Sequence, residues 1–451
     1  MRNSKCIRRD FLKTLGIGAA ALAMPTSNFG ERPVASKPNF IVIFTDDQGY
    51  QDLGCFGSPK IDTPNIDAIA EAGMRFTDFY AAESVCSPSR AALLTGCYPP
   101  RTGITGVLFP RHNTGLGPEQ TTIASMLKKV DYATTCIGKW HLGHRPKHLP
   151  TNKGFDSYFG IPYSNDMTVD TEMDFAKDCN WRKGQSPDNI AKKKNWVPLM
   201  RDEKVVEYPC DQTTLTRRYT QKALDFIDTN KDKPFFLYLA HTMPHIPLYA
   251  SPEFRGQSER GLYGDVIEEI DWGVGKITAR LKELGIEENT LIVYTSDNGP
   301  WLQTGKNSGS AEPLRGGKFS AWEGGFREPT VMQWPGKIPA GKECDKVAST
   351  IDLLPTFAHL SGAPLPSRKI DGENIWPLME GRKGAESPHE YYCYCKGKGV
   401  KAIRSGPWKL KEGKLYNLRK DIGEKHDVAK ENPAIVKRLA SKMKEFERDM
   451  R

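Results

Sequence analysis

The sequence contains no apolar run that approaches the ~20 residues needed to cross a bilayer, which excludes a polytopic membrane protein. It also lacks fixed-period repeats and low-complexity tracts, which excludes solenoid, collagen-like and coiled-coil architectures. It does contain 38% hydrophobic and 10% aromatic residues, enough to form a core and to exclude general disorder. At about 150 residues per domain, the 451 residues hold up to roughly three domains, or one large α/β domain and a smaller one.

Most of the chain has no excess of either charge. Residues 381–451 hold 19 Lys and Arg against 10 Asp and Glu, whereas the rest of the chain has 45 of each, so this segment carries the whole net charge of +9. A basic segment attracts polyanions, but a solvated Lys-rich face has the same composition and is the commoner explanation. No nucleic-acid-binding motif accompanies it, and we expect no nucleic-acid partner.

The first thirty residues resemble an export signal. Basic residues precede an apolar stretch at 15–24, and A-L-A at 21–23 is typical of a signal-peptide cleavage site. The string R-R-D-F-L-K at 8–13 resembles a twin-arginine signal, with an ordinary Sec signal as the alternative. We therefore expect residues 1–30 to direct the protein out of the cytoplasm, to the periplasm or the medium, without stable membrane insertion.

The ten cysteines do not predict a disulfide framework, because a chain of this length can form its core without one. Loss of Cys6 with the signal leaves nine, an odd number that is compatible with one cysteine of separate chemistry. Cys393 and Cys395 are too close for a mutual disulfide and lack a second pair of zinc ligands, so we interpret them as structural.

Short β-branched runs predict buried strands at Phe40–Phe44, Thr134–Ile137, Phe235–Leu239 and Leu291–Tyr294. Helical patterns lie between them, beginning near Pro64, Ile123, Thr213 and Ile267. Strands that alternate with helices predict an α/β domain with a large, mostly parallel sheet and helices on both faces.

The composition changes after residue 360. Residues 361–387 are rich in Pro, Gly and Ser and are typical of a linker region. Four strand-like pieces follow between residues 391 and 418, and a helical pattern covers 434–449. We expect a large domain at 31–362 and a small C-terminal α+β subdomain with an antiparallel sheet at 363–451.

Acidic or amide pairs follow two of the predicted strands, Asp46-Asp47 after the first and Asp297-Asn298 after the last. Each pair alone is typical of a turn. Ligand sites in open α/β sheets form at the carboxyl ends of strands. At that edge the carboxylates of the two pairs would lie close together, and they would repel one another unless a cation neutralised them. Hard oxygen ligands suit Ca²⁺ or Mg²⁺, so the two pairs together predict a metal site.

The segment C-S-P-S-R-A-A-L-L-T-G at 86–96 predicts a helix that begins beside Cys86 and ends at Gly96. Free N–H groups and the helix dipole favour an anion at that position, either a thiolate or a bound oxyanion. Arg90 adds a positive charge one turn further on. A lone cysteine is usually a small core residue, but this combination is not a core pattern.

The same segment resembles the type I sulfatase pattern C-x-P-S-R-x-x-x-L-T-G at every fixed position. The likeness covers nearly the whole chain after the signal, through D-D-Q-G at 46–49, G-K-W-H-L-G at 138–143, G-I-P-Y-S-N-D at 160–166, P-H-I-P at 244–247, S-D-N-G at 296–299 and R-G-G-K at 315–318. It is strongest to the arylsulfatase A and N-acetylgalactosamine-6-sulfatase branch. It implies an alkaline-phosphatase-like fold and a cysteine that a formylglycine-generating or sulfatase-maturating enzyme oxidises to Cα-formylglycine.

The resemblance also implies roles for individual residues. The implied Ca²⁺ ligands are Asp46, Asp47, Cys86, Asp297 and Asn298. Arg90 would brace the nucleophile, and Lys139 and Lys318 would hold sulfate oxygens. His141 would accept a proton from the formylglycine hydrate, His245 would contact the leaving group, and Ser164 would contact the site. Lys139 and His141, two residues apart after a strand, are expected on one face of an extended segment.

The expected activity is sulfate-ester hydrolysis, on a sulfated sugar or glycan by analogy with that branch. A phosphatase or phosphonate monoester hydrolase of the same superfamily and a non-catalytic binder of sulfated glycans are the alternatives. A third possibility assigns glycan docking to the basic C-terminal segment. Loops 144–153 and 166–196 are the expected sources of specificity.

Overall fold

All four predicted strands form in the computed structural model, which describes residues 37–450, and each extends slightly beyond at least one of its predicted ends. The predicted export signal at 1–30 lies outside the described residues. The strands in chain order are β1 (Asn39–Thr45), β2 (Met74–Phe76), β3 (Phe79–Tyr80), β4 (Ala133–Gly138), β5 (Ser157–Gly160), β6 (Phe175–Trp181), β7 (Leu199–Arg201), β8 (Lys204–Tyr208), β9 (Phe235–Ala240), β10 (Thr290–Ser296), β11 (Thr330–Gln333), β12 (Lys342–Cys344), β13 (Ala348–Ser349), β14 (Tyr392–Lys396), β15 (Gly399–Ser405), β16 (Trp408–Lys411) and β17 (Lys414–Asn417).

The predicted helices also form, and the one predicted through Ile267 begins five residues earlier, at Leu262. The helices are α1 (Pro64–Ala72), α2 (Cys86–Thr95), α3 (Pro99–Thr102), α4 (Ile123–Lys128), α5 (Leu215–Asn230), α6 (Leu262–Glu283), α7 (Glu323–Phe326), α8 (Leu353–Ser361), α9 (Trp376–Met379) and α10 (Pro433–Asp449). Between residues 37 and 450 none of them has the length and apolarity that a membrane span requires.

Eleven strands of the described chain form one large mixed sheet. Their spatial order is β12-β2-β11-β10-β1-β9-β4-β5-β7-β8-β6. The central strands β10, β1, β9, β4 and β5 run parallel, whereas β11 and β7 pair antiparallel with β10 and β5. The carboxyl ends of the central strands therefore meet at one edge, as the sequence predicts.

Helices cover both faces of this sheet. Phe235 and Phe236 are consecutive in β9, so their side chains point to opposite faces. Phe226 of α5 packs against the Phe235 ring at 5.8 Å between centroids. Phe357 of α8 packs against the Phe236 ring at 6.2 Å. The predicted mostly parallel α/β sheet between two helical layers is confirmed.

The four C-terminal strands β14, β15, β16 and β17 form a separate antiparallel sheet, and α10 packs on β15. A second apolar cluster includes Ile403 and Leu415 of this sheet and Leu439 of α10, and it continues through Tyr392 to Tyr80 of β3. The predicted small α+β element is confirmed. The described residues group into one unit, and the boundary at 362 stays a prediction.

The segment 361–387 is not a free linker. Ile375, Leu378 and Met379 are buried in the main core, and the Asp371 carboxylate accepts hydrogen bonds from the Tyr98 N–H at 2.8 Å and the Arg101 Nε at 2.8 Å. The linker prediction was wrong because the Pro- and Gly-rich composition hides a short apolar anchor, W-P-L-M at 376–379.

The cysteines of the described chain, from Cys55 to Cys395, are all free thiols. Cys393 and Cys395 are buried in the C-terminal sheet, consistent with the structural role predicted for them.

Candidate active site

The pairs Asp46-Asp47 and Asp297-Asn298 meet because β1 and β10 are parallel neighbours in register, with Thr45 opposite Ser296. The Asp297 N–H donates to the Thr45 carbonyl at 3.1 Å, and the Asp47 N–H donates to Asp297 Oδ1 at 3.2 Å. Asp47 has a φ of 66°, in the left-handed region, which turns the chain sharply after Asp46. The pairs are buried together at the carboxyl edge of the sheet.

Two oxygens of this cluster are buried without a hydrogen-bond partner, Asp46 Oδ1 and Asn298 Oδ1. Asn298 Nδ2 donates to Asp47 Oδ1 at 2.7 Å, which fixes the amide with its oxygen free. Asp46, Asp47 and His245 each offer a ligand atom, and these atoms lie within 4.8 Å of one another. Buried unpaired oxygens are costly, and carboxylate and amide oxygens are the donors that hard divalent cations prefer. The residues therefore fit a Ca²⁺-type ion.

The charges around the cluster shift its carboxyl groups in opposite directions. Burial disfavours ionisation of Asp46, but Lys139 and Arg90 outweigh burial and hold its pKa well below the usual range. Burial and the neighbouring Asp46 charge raise the pKa of Asp297 to about 7. A divalent cation among these groups would favour both ionised forms.

Cys86 is the first residue of α2, after the extended Val85, which provides no side-chain cap. The first N–H groups of the helix are therefore available to an anion. Gly96, with a φ of 68°, ends the helix as the sequence predicts. Burial raises the pKa of the Cys86 thiol, although Lys139 and Lys318 act in the other direction. A neutral buried thiol is a weak nucleophile.

Arg90 joins this helix to the strand ends. Its Nη2 and Nε lie 2.8 and 3.0 Å from Asp297 Oδ2, and its Nη1 donates to the Lys139 carbonyl at 2.9 Å. Burial lowers the pKa of Arg90, but Asp297 and Asp46 reverse this and raise it, so the guanidinium stays charged. These contacts connect Arg90 to Asp297 and to the segment after β4, and its role in bracing the nucleophile stays a prediction.

Lys139 and His141 follow β4, but the segment between them is not extended. His141 has a φ of 58°, so the prediction that both side chains share one face of an extended chain was wrong. The Lys139 ammonium contacts Asp46 and lies 3.3 Å from Ser164 Oγ. His141 Nε2 lies 2.9 Å from the Leu108 carbonyl, which can only accept, so Nε2 carries the proton.

The other ring nitrogen of His141, Nδ1, is buried without a hydrogen-bond partner. Burial, with the nearby Lys139 charge, moves the pKa of His141 well below its usual value, so the ring is neutral. His141 therefore presents an unprotonated Nδ1 lone pair inside the protein.

His245 lies on the other side of the acidic cluster. Its Nδ1 donates to the Ile246 carbonyl at 2.6 Å and lies 3.1 Å from Asn165 Oδ1. Its Nε2 is 3.6 Å from Asp47 Oδ2 and 3.4 Å from Ser164 Oγ. Burial and the Lys318 charge lower the pKa of His245.

Lys318 completes the cluster. Its ammonium lies 2.7 Å from both Asp47 carboxylate oxygens, and its backbone N–H donates to the Pro300 carbonyl at 3.0 Å. The charge of Asp47 overcomes the effect of burial and raises the pKa of Lys318, so this lysine stays charged. The structure thus brings together every site residue that the sequence singled out.

Sequence reasoning missed some of the residues that shape the site. Asn165 orients His245 and also donates from Nδ2 to the Pro247 carbonyl at 3.0 Å; its position inside the S-N-D string was the available signal. The contact between His141 and the Leu108 carbonyl could not be predicted, because every residue has a backbone carbonyl and the contact leaves no signal in the sequence. His241 is a buried core residue, whose pKa burial lowers to about 3.

Comparison with known proteins identifies the chain. The Sulfatase family model matches residues 38–363, and the model "N-sulphoglucosamine sulphohydrolase, C-terminal" matches 317–449. Arylsulfatase A of Homo sapiens is 40% identical over 384 residues, covering 83% of this chain and 75% of the relative. N-acetylgalactosamine-6-sulfatase of Canis lupus familiaris is 38% identical over 412 residues, covering 88% and 74%. The solved structure of Ps i-CgsB in complex with k-i-k-neocarrahexaose is 36% identical, with a TM-score of 0.79 and 92% and 94% of the two chains covered.

The fold is thus alkaline-phosphatase-like, and the site is that of an ester hydrolase. The chain belongs to the sulfatase family, and it is a sulfuric ester hydrolase, which confirms both the predicted resemblance and the predicted class of activity.

Proposed function

We propose that this sulfatase removes sulfate from a sugar or glycan, with Cα-formylglycine at position 86 and Ca²⁺ held by Asp46, Asp47, Asp297, Asn298 and residue 86. The observation that carries the proposal is the buried Cys86 at an uncapped helix start, beside a carboxylate cluster with unpaired oxygens. A sulfated carbohydrate substrate is supported by the names of N-acetylgalactosamine-6-sulfatase and of a neocarrahexaose complex among the similar proteins.

Ca²⁺ would supply a fixed positive charge against the sulfate oxygens and the nucleophile. Formylglycine would supply a hydrated aldehyde, one hydroxyl of which would attack sulfur and displace the alcohol. Loss of the proton from the other hydroxyl would then expel sulfate and restore the aldehyde. A modified residue at position 86 is supported by chemistry, because a sulfated cysteine thiol would have no second hydroxyl through which to release sulfate.

The charges of the cluster match a sulfate group once a divalent cation is present. Without the ion the side-chain charges balance, since three carboxylates face three cations: Asp46, Asp47, Asp297, Arg90, Lys139 and Lys318. A divalent cation gives the site a charge of +2, suited to the charge that develops on the sulfuryl oxygens. Lys139 and Lys318 hold those oxygens, and Arg90 keeps Asp297 in place.

Two histidines move the protons. His141 accepts the proton from the remaining hydroxyl of residue 86 at Nδ1, since Nε2–H is engaged by the Leu108 carbonyl. His245 acts as the general acid in its imidazolium form, which Asp47 beside Nε2 favours against the effects of burial and Lys318. With Nδ1–H held by the Ile246 carbonyl, the imidazolium donates its Nε2 proton to the departing alcohol oxygen. Ser164, between Lys139 and His245, orients both groups towards the ester.

The proposal includes a maturating enzyme, export and two functional parts of the chain. A formylglycine-generating or sulfatase-maturating enzyme converts Cys86, and residues 1–30 direct export. Residues 31–362 form the catalytic domain and residues 363–451 the C-terminal subdomain. Export is tested by replacing both Arg8 and Arg9 with Lys and comparing the cell fractions; retention of the variant in the cytoplasm supports the twin-arginine route, and unchanged export contradicts it.

The activity is tested on 4-nitrophenyl sulfate, 4-nitrophenyl phosphate and a panel of sulfated mono- and oligosaccharides, with wild-type protein and Cys86→Ala. We expect faster turnover of sulfate than of phosphate, desulfation of at least one sugar, and no turnover by the variant. Faster phosphate turnover, or a fully active Cys86→Ala protein, contradicts the proposal.

A further inference from the structure

Large apolar side chains are rarely exposed in this protein. Among residues 37–450 those with substantial exposure are Leu302 (44%), Phe319 (39%) and Leu365 (54%). Two of the three lie beside Lys318, which we propose binds the sulfate group. Phe319 is the next residue in the chain, and Leu302 packs next to Gly317. An exposed apolar group beside a charged site indicates a ligand contact more than a contribution to folding.

Phe319 is held in an unfavourable backbone conformation. Its φ of 69° lies in the left-handed region, which is unusual for a bulky residue. Two hydrogen bonds fix it there: its N–H donates to the Ser84 carbonyl at 3.0 Å, and its carbonyl accepts from Lys396 Nζ at 2.5 Å. Such conformations cost on the order of 1–3 kcal/mol and persist where the surrounding structure imposes them, often at ligand sites.

The Phe319 ring and the partly exposed Trp301 ring together border the reacting groups. Their centroids are 5.6 Å apart in an edge-to-face arrangement. The Lys318 ammonium lies 4.9 Å from the Trp301 centroid and 5.4 Å from the Phe319 centroid. The Trp301 ring is also 6.0 Å from the ring of His245, the proposed proton donor to the leaving group. The two rings therefore lie on the side where the alcohol departs.

We propose that Trp301 and Phe319 form a subsite that packs against the six-membered ring carrying the sulfate, with a pyranose C–H face as its natural occupant. This inference rests on the proposed function. The two perpendicular rings form an apolar corner beside Lys318 and His245. One ring face can pack against a sugar ring whose ester oxygen points to His245 and whose sulfate points to Lys318. The specificity determinants then include residues 301 and 319, in addition to the loops 144–153 and 166–196.

The alternative explanation is that the two rings serve only to position the Lys318 ammonium through cation–π contacts. The two explanations differ in their effect on ligands that lack a ring. Inorganic sulfate probes Lys318 and the anion site alone, whereas 4-nitrophenyl sulfate and the 6-sulfates of galactose and N-acetylgalactosamine also probe the subsite.

The test measures kcat/KM for the ring-bearing esters and the inhibition constant of inorganic sulfate, in wild type, Phe319→Asn, Trp301→Leu and the control Leu365→Ala. Asn tolerates the left-handed conformation and so keeps the loop backbone. We expect Phe319→Asn and Trp301→Leu to lose about tenfold in kcat/KM, the scale of one aromatic contact, with the sulfate inhibition constant and the control unchanged. Equal losses for inorganic sulfate and the esters, or no loss at all, would overturn the subsite.

Binding to Cys86→Ala separates this inference from the proposed function, because it does not require turnover. We expect this variant to bind the ring-bearing esters more tightly than inorganic sulfate, and to lose that advantage when Phe319→Asn is added. If the ring-bearing esters bind no more tightly than inorganic sulfate, the proposed subsite is refuted. A wild-type protein that binds them in this way but hydrolyses none overturns the proposed function alone.

Discussion

The Lys409 ammonium and the Glu323 carboxylate form an ion pair at 2.9 Å, and neither side chain is exposed to solvent. Lys409 belongs to β16 of the C-terminal sheet, whereas Glu323 begins α7, five residues after Lys318. Glu424 is a second partner of Lys409 at 2.8 Å, and it accepts a hydrogen bond from the Glu323 N–H at 2.8 Å. The C-terminal sheet thereby supports the loop that carries Lys318.

Replacement of Lys409 by Met should be strongly destabilising, because it removes the ion-pair partner of the buried Glu424 carboxylate. It also leaves Glu323 with the more distant Arg327, at 3.7 Å. Loss of one partner of a buried ion pair costs about 3–5 kcal/mol, and we expect a decrease of that size in the free energy of unfolding measured in urea. Lys414→Met, at an exposed position of the neighbouring strand β17, is the control and should change stability by less than ~0.5 kcal/mol. Equal stability of the two variants would refute the role of Lys409.

Replacement of either Lys318 or His245 by Ala should reduce kcat/KM for 4-nitrophenyl sulfate by about 10²-fold or more, the usual effect of losing a charge clamp or a general acid. Both side chains contact Asp47 from buried positions, so thermal unfolding must be measured alongside to show that the variants fold. Lys306→Ala, in an exposed position of the nearby loop, provides the control. A loss of less than threefold in either site variant would contradict its assignment.

Ca²⁺ should raise the thermal unfolding temperature of metal-depleted protein, because an ion that binds only the folded state adds stability, about 2.7 kcal/mol at a hundred times the dissociation constant. Asn298→Leu removes the unpaired Oδ1 and should abolish most of this shift. Asn289→Leu, at a half-buried position before β10 and away from the site, is the matched control. A shift that survives in Asn298→Leu would place the ion elsewhere.

The ion pair of His389 with Asp352 should make stability depend on pH. Burial lowers the pKa of His389, but Asp352, 2.7 Å away, outweighs burial and raises it. Its stabilising contribution is therefore fully present below the usual histidine pKa of about 6.5 and is lost as pH rises through the raised value. We expect the stability difference between wild type and His389→Gln to be largest near pH 5–6 and to shrink towards pH 9. A difference that is constant across this range would contradict the assignment.

Sequence patterns predicted the fold correctly where the local pattern of apolar residues matches the burial of the element in the structure. The runs at β1 and β10 are apolar throughout because parallel central strands are buried on both faces, and the acidic pairs after them meet because those strands are neighbours in register. The same reasoning failed where conformation depends on distant partners. The left-handed His141 and Phe319 are fixed by contacts with residues far away in the sequence, and Asp371 anchors a Pro- and Gly-rich segment through the distant Arg101.

The proposed chemistry depends most directly on the state of residue 86, which mass spectrometry of the peptide containing Cys86 from active, purified enzyme determines. We predict a peptide about 18 Da lighter than the cysteine form, the mass change for conversion to formylglycine. A fully active enzyme whose Cys86 peptide has the unmodified mass would contradict the account.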